Sequence, residues 1–371
     1  MTSQPICKGC GQPIYGKYLT ALGATWHPEH FVCAACKQPI TDASFNTHNG
    51  LPYHAQCYLN AVAPRCAYCG KPLTGQYYEH EGNRYHVECY RDHIVPRCAY
   101  CNQPIMSQYY EHEGNRYHVE CYRDHIAPRC AYCGKPLMGQ YLVDYWGTHY
   151  CKEHEGQYPH CAYCGRLVPP SQQEPGIRRG DAVRCPICRS SAIETTDQAQ
   201  PIFQRLMQWT IRQGLQYNNY QIKLTLVDRA TLTALLKDRS TKDSLGVTSH
   251  SAHTINGRIV RIEVDGISVL RGLPSILFQG VTIHELGHAW LAVQGIQGLP
   301  PWAEEGFCEL LAYRFYKELN SPESRYHAEG IERNKDQTYG EGFRRVRAIS
   351  DAKGFQRLVE TLRTTKRMPA L

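Results

Sequence analysis

Cysteine recurs along this chain with a regularity that leaves few ways to fold it. Of the nineteen cysteines, all but Cys308 lie between Cys7 and Cys188, nearly all as Cys-x-x-Cys pairs, and each opening pair is followed at a regular distance by a second pair of His or Cys. That is the spacing of tetrahedral metal sites more than of a disulfide framework. The ligands close into complete quartets: Cys7, Cys10, His27 and His30; Cys33, Cys36, His54 and Cys57; Cys66, Cys69, His86 and Cys89; Cys98, Cys101, His118 and Cys121; Cys130, Cys133, Cys151 and His154; and Cys161, Cys164, Cys185 and Cys188. No cysteine of this half is left over. Four protein ligands leave no position open for a substrate, so these are six structural Zn²⁺ sites. Units of this size bury too little apolar surface to fold unaided, and coordination supplies much of their folding free energy.

The first two quartets are separated by two residues and include Trp26-His27-Pro28-Glu29. Together they resemble a LIM domain over residues 1–60, with His30 where that family usually has Cys. From Cys66 the pattern returns every 32 residues, at Cys98 and Cys130, and Gln76–Cys101 is nearly repeated in Gln108–Cys133. Residues 61–157 are thus a tandem of three half-LIM knuckles. The third carries one inserted residue and exchanges the Cys/His order at Cys151 and His154. A further LIM-like knuckle, 158–195, has a Pro- and Gln-rich loop at Pro169–Pro175. Short β-hairpins are expected throughout this array.

The formal charge of +7 counts every cysteine as neutral. Eighteen thiolate charges against fourteen from seven Zn²⁺ bring it to +3. Lys and Arg are also dispersed among carboxylates, so no nucleic-acid partner is expected. The recurring Tyr77-Tyr78 and Tyr109-Tyr110, with Tyr85, Tyr90, Tyr117 and Tyr122, are read as covering knuckle cores and a face for protein partners. Metal-binding thiols suit a reducing compartment, and neither a secretory signal nor a membrane span is visible. A cytoplasmic protein without a membrane partner is expected.

Past residue 195 the texture becomes that of an ordinary globular α+β domain, 196–371, mainly helical with a small antiparallel sheet. Asp197–Gln216 has helical spacing and Gln221–Val227 alternates as a strand. Leu245–His253 and Arg258–Val264 flank Asn256-Gly257, a hairpin signal. The second of these strands, lying just before the metal motif, is the expected edge for pairing with an extended substrate. Helix is then predicted over Ser275–Val293, which contains His284-Glu-Leu-Gly-His288. Residues four apart share a helix face, so His284 and His288 grip one Zn²⁺ while Glu285 lies beside its open position as general base. Such a zinc acidifies water and polarises the scissile carbonyl, and Glu285 carries the proton to the leaving amine.

A catalytic zinc needs a third protein ligand, and Glu305 stands seventeen residues after His288, just before Gly306 at the start of a predicted helix opened by Pro301. That arrangement resembles the gluzincin metallopeptidases, in which this Glu is the third ligand. Glu304, about a quarter-turn or more away, is the alternative. More specifically, Gly272-Leu-Pro, His284-Glu-Leu-Gly-His-Ala-Trp-Leu291, Glu304-Glu-Gly-Phe-Cys-Glu-Leu-Leu-Ala312 and Tyr339-Gly-Glu-Gly-Phe-Arg344 resemble the plant LIM-containing peptidases that limit organ growth, the DA-one family. The likeness covers roughly 130–371 and the LIM unit. It implies a zinc endopeptidase that cleaves regulatory proteins. The family is also activated by ubiquitin attachment, but its ubiquitin-interacting helices have no counterpart before Cys7, so ubiquitin regulation is not carried over.

The transition state needs a hydrogen-bond donor besides the metal. Tyr339 is the first choice, by its Gly-flanked setting and its family likeness, with Tyr326, His327 and Tyr313 as alternatives. Cys308 reads as a small buried residue on the Glu305 helix. The competing function is a LIM-type adaptor whose C-terminal domain binds without cutting.

Overall fold

The computed structural model of the chain describes residues 4–175, 182–218, 220–236, 244–255 and 258–371. It divides into two compact units, Met1–Pro128 and Arg129–Leu371.

Each quartet opens on the same backbone loop. The first Cys donates its N–H to the carbonyl five residues on, and its own carbonyl accepts the N–H four residues on, from Cys7 with Gln12 and Gly11 to Cys161 with Arg166 and Gly165. The residue at the fourth step is left-handed in every copy: glycine in four, Lys37 and Asn102 in the others. In the two near-identical repeats, Tyr77–His80 pairs with Asn83–His86 and Tyr109–His112 with Asn115–His118, both antiparallel and in the same register. Their two-residue turns have positive φ at both positions, 49° and 77° for Glu81 and Gly82, the mirror-image turn whose twist suits a hairpin. Tyr85, Tyr117 and Tyr122 are buried, and Tyr78 and Tyr110 stack on Tyr90 and Tyr122 at 4.7 Å. Tyr85, Tyr117 and Tyr122 thus lie in the knuckle cores, whereas Tyr77, Tyr78 and Tyr109 are exposed.

Cysteine distribution alone puts a boundary near residue 195, yet the compact units part after Pro128. The cause is a shared core. Cys161, Cys164, Cys185 and Cys188 belong to one buried cluster with Phe203, Leu206, Phe278 and Phe307 of the C-terminal helices. Arg184 reinforces the join, its guanidinium donating to Glu174, to Glu194 at 2.7 Å and to the Gly272 carbonyl at 3.0 Å. The Gly272-Leu-Pro segment completes it, as Ala192-Ile193 pairs with Leu273-Pro274.

The C-terminal unit contains α1 (Thr196–Arg212), α2 (Arg229–Leu235), α3 (Ser275–Val293), α4 (Pro301–Leu319), α5 (Pro322–Arg333), α6 (Gly340–Lys353) and α7 (Phe355–Thr365). Thr195 and Gln198 close a reciprocal capping box at the start of α1. The sheet has three strands: β1 (Leu224–Val227), β2 (Gly246–Ile255) and β3 (Arg258–Leu270), in the order β1-β3-β2. Its long pairing, β2 with β3, is antiparallel as expected, while the short β1 joins β3 in parallel. The Asn256-Gly257 turn lies outside the described residues. Strand β2 reaches the metal motif through Thr248, and the short β1 pairs with β3 only at Ile267–Leu270.

Helix α3 is apolar nearly all round and buried, with Phe278, Ile283, Leu286 and Trp290 in the core. It crosses α4 closely at Gly287, where a Cβ would stand 2.8 Å from Cys308 Sγ. On the far side of α4, a Cβ at Gly306 would lie 2.4 Å from the Gly342 backbone of α6. Glycine at these two points lets α3, α4 and α6 approach closely enough for α4 to present its carboxylates to the α3 histidines.

Candidate metal centre

His284 and His288, one turn apart on α3, bring their Nε2 atoms to 3.2 Å from each other. Glu305 Oε2, from the first turns of α4, lies 3.2 Å from His284 Nε2 and 3.3 Å from His288 Nε2. In a tetrahedron the ligand-to-ligand edge is about 1.63 times the metal–ligand bond, so zinc bonds of about 2.0–2.1 Å require edges of about 3.3–3.4 Å. The triangle has that size. The opposite ring nitrogens are already used: His288 Nδ1 is 3.1 Å from Glu304 Oε1, and His284 Nδ1 is 3.4 Å from Glu309 Oε1. With each Nδ1–H donating to its carboxylate, both Nε2 lone pairs face the Glu305 carboxylate. Three such acceptors, converging at this distance, offer a place for a cation.

Electrostatics say the same. Burial opposes charge on His284, but Glu305 and Glu309 overcome it and hold its pKa well above the usual value. His288 is raised likewise against burial, by Cys308, Glu304 and Glu305. Burial works against the Glu305 carboxylate too, and the two imidazoles nonetheless keep it far below the ordinary range. The donor set is a buried hole for positive charge and fits Zn²⁺.

Glu285 sits beside these ligands, buried, with Oε2 accepting a 2.7 Å hydrogen bond from Thr248 Oγ1. Gly246 makes room for it, since a Cβ there would fall 2.9 Å from Glu285 Cγ. Tyr339 stacks on His284 with ring centroids 6.4 Å apart, and burial first, then Glu305, pushes its hydroxyl up to about 12. His284, Glu285, His288, Glu305 and Tyr339 all face one cavity of about 990 Å³, which Tyr326 and His327 also line. Tyr313 is directed elsewhere, donating to Glu332 at 2.6 Å. Cys308 is fully buried against Gly287, and burial pushes its thiol up.

The knuckle ligands also converge. Five of the quartets, from Cys7, Cys10, His27 and His30 to Cys130, Cys133, Cys151 and His154, hold one ligand atom from each residue within 4.8 Å of the others. In the sixth, Cys164 Sγ lies 3.5 Å from Cys185 Sγ, and Cys161 Sγ accepts from the Cys185 amide at 3.3 Å. His30 takes its place in the first site, its Nδ1 3.6 Å from Cys7 Sγ and 3.2 Å from His27 Nδ1. At His54, His86 and His118, Nε2 bonds a proline carbonyl at 3.1 Å, which turns the Nδ1 lone pair toward the sulfurs. Both ring nitrogens of His154 are buried without a hydrogen-bond partner, which leaves one free to take a metal.

Glu309 and Thr248 join the site without a role predicted by the sequence motifs. Glu309 carried a signal, being four residues after Glu305 and so on the same helix face. Thr248 carried none, because only the packing of β2 on α3 brings it to Glu285.

Comparison with known proteins matches a LIM-domain family at residues 7–62 and 98–157, pairing the second and third repeats as one domain. A second family, described as Protein DA1, matches residues 210–325, which include His284 to Glu305 but not Tyr339. Protein DA1 of Arabidopsis thaliana is 24% identical over 98% of this chain and 68% of its own length. For the LIM domain-containing protein HDR3 of Oryza sativa subsp. japonica the figures are 24%, 86% and 58%, and for Protein DA1-related 1 of Arabidopsis thaliana 24%, 84% and 51%. The chain thus spans between half and about two thirds of the length of these relatives. No helix among the described residues is long and apolar enough to cross a membrane.

Proposed function

From the premise that this chain joins LIM domains to a DA1-like domain, homologous to the plant DA1 and HDR3 proteins, we propose that it is a zinc-dependent endopeptidase acting on protein substrates. The observation that carries this reading is the 3.2–3.3 Å triangle of His284, His288 and Glu305 beside the Glu285 carboxylate. His284, His288 and Glu305 hold the metal, with Glu304 and Glu309 orienting the histidines. When bound, zinc supplies Lewis acidity toward water and the scissile carbonyl. Glu285 takes the proton from the attacking water and delivers it to the leaving amine, its carboxylate held in register by Thr248. With its pKa raised to about 12, Tyr339 stays protonated and donates to the oxygen on which negative charge develops. The LIM-like array, with six structural Zn²⁺, recruits or regulates protein partners, and its reduced thiols suit the cytoplasm. No nucleic-acid or membrane partner is proposed, and ubiquitin regulation gains no support from these residues.

Two variants test the assignment. Incubated with a denatured protein mixture and followed by mass spectrometry, Glu285→Gln should lose about 10³-fold in cleavage while keeping its zinc. Identical products from wild type and variant, or none from either, would leave the non-cutting LIM adaptor as the better reading. Tyr339→Phe should lower kcat by about 10²-fold with KM and zinc content unchanged. A wild-type kcat would remove Tyr339 from the chemistry.

A further inference from the structure

The third 32-residue repeat differs from the other two at its hairpin tip. Where those copies turn through Glu81-Gly82 and Glu113-Gly114, the third has one more residue, and five residues, Asp144–Thr148, connect its strands Tyr141–Val143 and His149–Cys151. Asp144 Oδ1 ties this larger tip together by accepting the Trp146 and Thr148 amides at 2.9 and 2.8 Å. Both aromatic residues of the tip are engaged. Trp146 donates through Nε1 to the Cys164 carbonyl at 2.8 Å and is covered by Arg166 at 3.9 Å. Tyr145 donates its hydroxyl to Glu329 of α5 at 2.9 Å and packs edge-on against Tyr326 at 5.0 Å.

From the tip a row of rings runs into the catalytic unit. Tyr326 meets His327 at 5.3 Å, and His327 stacks on Tyr316 at 5.5 Å. The row ends against α3 at Gly280, where a Cβ would stand 1.8 Å from Tyr316 Oη, one turn before His284. Tyr145, Tyr326, His327 and Tyr316 line the same cavity as the metal ligands. Burial holds the His327 pKa down to about 4, so the row is uncharged at neutral pH.

Resting on the peptidase reading, we propose that Tyr145 and Tyr326 form a specificity wall of the cavity, and that the recess they close takes a large apolar or aromatic side chain flanking the cleaved bond. The inserted residue of the third repeat thus makes a zinc knuckle part of the substrate site. Rings along the wall offer apolar surface and edge-to-face partners to an aromatic side chain, and no counter-charge to an acidic one.

The test is calorimetric binding of peptide hydroxamates to the full-length zinc-loaded chain carrying Glu285→Gln, so that turnover plays no part. Compounds bearing a benzyl, a methyl or a carboxymethyl side chain are compared. The benzyl compound should bind about tenfold more tightly than the methyl one, and the carboxymethyl compound most weakly. Tyr145→Ala or Tyr326→Ala should abolish the benzyl advantage, while Tyr145→Phe, which keeps the ring and loses the bond to Glu329, should retain it. Unchanged affinity for the methyl compound reports an intact metal centre. Equal binding of benzyl and methyl compounds by the parent protein, or an undiminished advantage in both alanine variants, overturns the proposal. Failure of every hydroxamate to bind would instead reject the catalytic metal centre, and this inference with it.

Discussion

Cys185→Ser is expected to unfold the C-terminal unit, whereas Cys66→Ser is expected to cost one structural zinc and leave that unit folded. Both substitutions remove one thiolate from a quartet, so the difference lies in what each quartet supports. Cys66 packs with Leu73 and Tyr85 in a small local cluster of the N-terminal unit. Cys185 is buried in the main core with Phe203, Leu206, Phe278 and Phe307. Zinc coordination contributes about 10–16 kcal/mol in small finger domains, against about 5–15 kcal/mol for the stability of a whole domain. Losing it inside the core leaves the helices without enough stabilisation to stay folded, and α3 and α4 would separate with the loss of their metal site. Thermal unfolding of the two full-length variants, with zinc counted per chain, checks this. A C-terminal transition in Cys185→Ser within a few degrees of wild type would show that the knuckle is an appendage.

Glu305→Ala is expected to lose both the catalytic zinc and all cleavage, which separates it from Glu285→Gln, where only turnover is lost. Two histidines and a cavity remain once the carboxylate is gone. Changing a residue that merely orients a metal ligand typically costs about 10–100-fold in affinity, so removing the ligand itself should exceed about 100-fold. Competition with a chelator provides the affinity, and elemental analysis should find one ion fewer per chain. Glu304→Ala belongs in the same experiment. Its carboxylate meets His288 Nδ1 at 3.1 Å and not the Nε2 triangle, so a loss of only about tenfold is expected. If Glu304→Ala emptied the site and Glu305→Ala did not, the ligand assignment would pass to Glu304.

The difference between these two neighbours is not encoded in their spacing. Spacing alone left Glu304 and Glu305 as alternatives, because each is within reach of a metal held on the preceding helix. The rotation of α4 decides, and that rotation follows from its close packing on α3 at Gly287 and on α6 at Gly306. Tyr339 is distinguished from Tyr313 in the sequence by its Gly-flanked setting and a family resemblance. In the fold, one stacks on His284 and the other donates to Glu332.

Local chemistry was legible throughout. A metal ligand set is assembled from residues a few positions apart and their partners some twenty residues on, so the six knuckle quartets, the His284/His288 pair and the helix Ser275–Val293 could be read from spacing. Contacts made at long range could not. Thr248 reaches Glu285 across 37 residues, and Tyr145 reaches Glu329 across 184. Cysteine content changes near residue 195 while the compact units part after Pro128, because cysteine spacing marks candidate zinc sites and not which surfaces share a core. By itself the sequence determined which side chains form candidate metal-ligand sets, since coordination requires particular side chains at particular spacings. Only the tertiary structure decided which carboxylate faces the two imidazoles and which knuckle borders the cavity, since both depend on how helices and hairpins pack.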